Sequence, residues 1–79
     1  MSNAERVQES TIGQRVYARR MAKGLTQEQL AARTGLSPGH ISEIENGVKK
    51  NLQHKTLKKL VKGLEMSLME LLGEDEDGN

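Results

Sequence analysis

The stretch LAARTGLSPGHIS, residues 30–42, constrains this chain more than any other. The run before Gly35 reads as a helix, and so does the run after Ser37-Pro38. A helix stop and a helix start therefore fall within about three residues. Gly35 supplies the residue type that takes a left-handed conformation at a helix end. Leu36 follows as a plug for the core. Ser37 then offers a side-chain cap, and Pro38 sits at the first helical position, where its missing N–H is not needed. Each of the two helices is only about two turns long. Neither is stable alone, so both must lean on neighbouring helices.

Those neighbours are legible on either side. A first helix is expected from about Thr11 to Lys23, with Ile12, Val16 and Arg20 on one face, Met21 beside them, and Gly24 as the stop. The second opens at Thr26, where Gln29 completes a capping box; Leu30 and Ala31 face inward. The third opens at Ser37, buries Ile41 and Ile44, and closes at Gly47. A fourth is expected from about His54 to Glu65, with the stripe Leu57, Leu60, Val61 and Leu64. Gly63 inside it points either to close packing or to a frayed end. The fifth begins at Ser67, with Glu70 completing a second capping box, and carries Leu68, Met69, Leu71 and Leu72 before Gly73. No stretch alternates apolar and polar residues, so no strand is expected. The fold class is all-α: a compact five-helix domain over residues 11–72, between a flexible terminus at 1–10 and a disordered acidic tail at 73–79.

At 79 residues the chain holds one domain, and with no cysteine it has no disulfide or thiolate metal site to reinforce it. His40 and His54 lack ligand-like spacing, so no metal is expected. No nucleophile–base–acid set or glycine-rich phosphate loop is present, and an enzyme is not expected. No apolar run approaches the roughly 18 residues that cross a bilayer, and the start is polar. A cytoplasmic protein without a membrane partner, cofactor or small-molecule ligand is the expectation.

The net charge of +1 conceals a division. Residues 11–63 sum to +8, and residues 64–79, with Glu65, Glu70, Glu74, Asp75, Glu76 and Asp77, to −6. A basic body suits a polyanion, although a solvated helical surface carries the same signature. Tyr17 is the only aromatic residue, which disfavours single-stranded nucleic acid, where bases stack on rings.

The steep crossing implied by the Gly35–Ser37 turn is that of a helix-turn-helix, whose second helix stands proud and fits the DNA major groove. LTQEQLAARTGLSPGHISEIENG resembles the phage-repressor and Cro type of helix-turn-helix domain of XRE-like bacterial regulators. The likeness extends over IGQRVYARRMAKG before it and TLKKLVKGLEMSLMELL after it, and so over about Thr11 to Leu72. The loop and fourth helix are also similar to the small controller proteins of restriction-modification systems, which dimerise through their last helix.

The resemblance implies a lambda-repressor-like fold and a transcription regulator bound to double-stranded DNA as a homodimer, with the helix over residues 37–46 in the major groove. It implies that Gln27 contacts a phosphate and braces that helix; a second contribution to capping is the alternative. It implies a scaffold ion pair between Arg20 and Glu45. The family reads bases from the first two residues of the third helix, here Pro38 and Gly39, which carry no hydrogen-bonding side chain. Gly39, His40, Ser42 and Glu43 are then the base-reading candidates, Glu43 as an acceptor for the cytosine amino group or as a plain solvent-facing side chain. Thr26, Gln27, Ser37, Asn46, Lys49 and Lys50 are the phosphate candidates. Lys55, Lys58, Lys59 and Lys62 are expected to be solvated. Leu68, Met69, Leu71 and Leu72 are candidates for dimerisation or for closing the core. A partner protein, as for an antitoxin or coactivator, is the alternative function.

Overall fold

Among the described residues, hydroxyl side chains start four of the five helices. In the computed structural model, which describes residues 11–49 and 51–73, α1 spans Ile12–Ala22, α2 Gln27–Thr34, α3 Pro38–Glu45, α4 His54–Leu64 and α5 Leu68–Leu72. Thr11, Thr26, Ser37 and Ser67 each accept a hydrogen bond from the backbone N–H of the third residue of the helix that follows. At Thr26 and Ser67 the box closes through Gln29 and Glu70. Thr11 and Gln14 close a third box, with both bonds near 3 Å. Three expected ends move by one residue: Thr11 and Lys23 are the caps of α1, and Glu65 lies beyond α4 with φ 58°. The phosphate candidate Lys50, the terminus at 1–10 and residues 74–79 of the acidic tail lie outside the described residues. Among the described residues no helix is long and apolar enough to cross a membrane.

Val16, Leu30, Ala31, Ile41, Ile44, Leu60, Leu64 and Leu71 form the core. α3 packs on α1 and α2; α4 packs on α1, α2 and α5; α5 also touches α1. Gly35 takes φ 81° and donates to the Ala31 carbonyl at 2.8 Å. The buried Thr34 secures the same turn. Its hydroxyl donates to the Leu30 carbonyl at 2.9 Å and accepts from the Leu36 N–H at 3.2 Å. Gly63 resolves to close packing, since a Cβ there would stand 2.6 Å from Thr34 Cγ2.

Two expectations are corrected. Leu71 is wholly buried within the monomer, so it closes the core and offers nothing to a second copy. Leu68 and Leu72 are partly covered, which leaves Met69 as the exposed apolar residue of α5. Met21 does not join the inward face of α1 but is 52% exposed.

Candidate nucleic-acid interface

α3 packs along its inner side through Ile41 and Ile44 and is braced by polar contacts at its far end. Arg20, in the last turn of α1, donates from Nε to Glu45 Oε2 at 2.7 Å and from Nη2 to Glu45 Oε1 at 2.9 Å. Its Nη1 donates to the Leu25 carbonyl at 2.8 Å, and the Tyr17 ring lies 5.3 Å from the guanidinium. Hydrogen bonding to Glu45 raises the Arg20 pKa above its usual value, against the burial that works the other way. Such a fork fixes orientation as well as distance. Gln27 adds a third donor, Nε2 to Glu45 Oε1 at 3.0 Å. It therefore bridges the start of α2 to the end of α3, while Gln29 does the capping.

This anchoring leaves the outer side of α3 uncommitted. Pro38, Gly39 and Glu43 are exposed, and His40 and Ser42 are half-covered. A Cβ on Gly39 would meet no atom within 4 Å, so nothing in the fold requires glycine there. Ser37 caps the helix through its Oγ, and Thr26 caps α2; each hydroxyl keeps its own proton for a further acceptor. Asn46 Nδ2 donates to Ser42 Oγ at 3.3 Å, tying a phosphate candidate to a base-reading candidate.

Lys49 stands where several surfaces meet. It borders the α3 cleft with Ser37, Gly39, His40 and Glu43. It also borders a polar cleft with His40, Asn51, Gln53 and Thr56, and an apolar groove beside Gly13 at the start of α1. Asn51 and Gln53 were not singled out in the sequence; the polar residues on either side of Leu52 were the available signal. Val48, 66% exposed beside Lys49, was also missed.

The other described cations, Arg15 apart, divide in two. Arg19 donates to the Leu64 and Glu65 carbonyls at 3.1 and 2.8 Å, Lys23 pairs with Glu65 at 2.6 Å, and Arg33 reaches the Gly63 carbonyl at 3.4 Å. These three neutralise the carboxyl end of α4, where the helix dipole favours positive charge. Lys55, Lys58, Lys59 and Lys62 are exposed along α4, and none borders the α3 clefts.

Residues 16–71 match the helix-turn-helix family model. The P22 c2 repressor, in complex with a synthetic operator, superposes with a TM-score of 0.76 and 30% identity, over 85% of this chain and all of that one. The restriction-modification controller protein C.AhdI from Aeromonas hydrophila gives 0.73 and 36% identity, over 77% of this chain and 91% of its own. SinR, a master regulator for biofilm formation, gives 0.74 and 31% in complex with DNA, over 77% of this chain and 97% of that one. In its complex with SinI the values are 0.76 and 30%, over 87% and 67%. No curated protein sequence matches the chain.

Proposed function

The chain belongs to the helix-turn-helix family, and on that premise we propose that it is a sequence-specific transcription regulator that binds double-stranded DNA as a homodimer, with α3 in the major groove. The observation that carries this reading is the outer side of α3. It is braced rigidly from behind by Arg20, Glu45 and Gln27, and its own polar groups are left facing outward. The P22 c2 repressor and SinR, both similar over most of this chain, are bound to DNA in their structures.

Within the groove Gly39, His40, Ser42 and Glu43 face the base edges, and Glu43 accepts from a cytosine amino group. Thr26, Gln27, Ser37, Asn46, Lys49 and Lys50 contact phosphates on either side. With Pro38 and Gly39 at the head of the helix, little direct readout is available. Discrimination is therefore modest and draws on DNA shape and on paired half-sites about 34 Å apart.

Selection of duplexes from a random pool tests the proposal. Glu43→Ala is expected to relax the preferred sequence at one position, and Gln27→Ala to weaken all sites alike. Affinity falls steeply with salt, because phosphate neutralisation supplies most of it. A flat salt dependence, or no enrichment of any sequence, defeats the reading. A second reading, a module that holds a partner protein, draws on the SinR–SinI complex. Purification of the chain in a stoichiometric complex with a neighbouring gene product favours it.

A further inference from the structure

α1 is turned inside out with respect to charge. Its charged residues, Arg15, Arg19 and Arg20, are all at least partly covered. Arg19 and Arg20 are engaged with α4 and α3. Its exposed residues are Gln14, Tyr17, Ala18, Met21 and Ala22, none of them charged. At about 100° per residue these five fall within an arc of about 140°. Tyr17 and Met21 leave roughly half of their surface open, at 49% and 52%. The face continues over Met66, which borders a shallow groove with Ala18 and Ala22.

We propose that this outward face of α1, centred on Ala18 and Met21, is the surface on which a second copy of the chain docks. The argument is one of charge. A two-fold contact sets each surface against itself, so any charge near the axis meets its own kind. Among the described residues, the exposed residues of every other helix include charge: Glu28 and Arg33 on α2, Glu43 on α3, four lysines on α4 and Glu70 on α5. The lysine row of α4 would be repelled by its own copy, and the outer side of α3 is reserved for DNA. The face of α1 meets itself with no buried charge. Its Met66 edge carries both signs, from Arg15, Arg19 and Glu70, so no like-charge row forms there either. α5 on its own offers Met69 and little more.

The proposal rests on the homodimer of the preceding section and names its surface. The full chain, Ala18→Glu, Met21→Glu and Met69→Glu are compared by sedimentation velocity over a concentration series, with helix content followed by circular dichroism. Ala18 and Met21 are exposed, so both variants keep the wild-type helix content. Each substitution counts twice across the axis, and the dimer dissociation constant is expected to rise by more than about a hundredfold. Met69→Glu is expected to dimerise as the wild type does. Either α1 variant can lose its fold without loss of the test, because the other reads the same face. A monomeric wild type at the highest concentration overturns the proposal. So does a folded Ala18→Glu or Met21→Glu that still dimerises, or a dimer broken only by Met69→Glu. Titration of duplexes with one and two half-sites separates this result from the DNA reading. The monomeric variants should bind a single half-site as the wild type does and lose the gain from the second. Failure of the wild type on both duplexes would defeat the DNA reading and leave the sedimentation result standing.

Discussion

Arg20 and Glu45 meet at two points, with side chains only 9% and 4% exposed, and so clamp the last turn of α1 to the last residue of α3. Removing one member leaves the other charge buried and stranded. Glu45→Ala is expected to cost about 3–5 kcal/mol. That is a large part of the roughly 5–15 kcal/mol that holds a domain together. The double variant Arg20→Met with Glu45→Leu recovers most of the loss, because neither charge remains. Urea melts of the three proteins check this; a Glu45→Ala cost below about 1 kcal/mol would contradict the clamp.

Gly13 is where the two helices come closest. A Cβ there would collide with the Ile44 carbonyl oxygen and stand 3.0 Å from that of Glu45. Both neighbours are backbone and cannot turn aside as a side chain does. Gly13→Ala is therefore expected to destabilise by about 1–3 kcal/mol, in spite of the better helix propensity of alanine. An unchanged or higher urea midpoint would refute the close approach.

Gly39 is the opposite case. It lies in α3 with open space before it, so alanine should stabilise the free protein by up to about 1 kcal/mol. The added methyl would stand on the side proposed to approach the bases. Gly39→Ala is expected to raise the melting temperature and to weaken binding to the selected operator. If both rise together, Gly39 is not at the interface.

Much of this architecture is written locally. A hydroxyl three residues ahead of Gln29 or Glu70 is enough to mark a helix start, because the capping box involves only neighbours in sequence. The Gly35 stop is equally local. Leu71 was not assigned in the same way. On a five-residue helix with apolar residues at four positions, periodicity cannot select the buried one, and contact with α1 and α4 selects it. The inward turn of Arg19 was likewise hidden. Unlike Arg20, already on the inward face and paired with Glu45, Arg19 reads as solvent-facing until its partners, 45 and 46 residues away, are in place. In the candidate site, Gln27 could cap or brace with equal ease in one dimension. Only the arrival of Glu45 beside α2 chooses the brace. The standing of Lys49 depends on the path of the loop after Asn46, for which no local rule exists.

That position makes Lys49 the cation best placed to report on phosphate contact. It borders the α3 cleft, whereas Lys58 on α4 does not. Lys49→Ala is expected to lower the slope of log affinity against log salt by about one, and to weaken all sequences uniformly. Lys58→Ala should leave the slope unchanged. Fluorescence anisotropy over a salt series distinguishes them, and equal slopes for the two variants would remove Lys49 from the interface.

Glu65 combines backbone strain with an exposed ion pair. Its φ of 58° costs a non-glycine residue about 1–2 kcal/mol, while the contact of its carboxylate with Lys23 is largely in solvent. The hydrogen bond from Lys23, and after it the Lys23 charge, hold the Glu65 carboxyl below its usual pKa. A carboxyl lowered by folding contributes stability above its unfolded value, and that contribution fades as pH falls through the folded one. Glu65→Gly relieves the strain and forgoes this small contribution. It is expected to melt above the wild type at neutral pH, by a difference that widens as the solution is acidified through the carboxylate range. Melting curves between neutral and acidic pH decide the point: a difference that narrows on acidification would mean that the Lys23 contact does not favour the folded state.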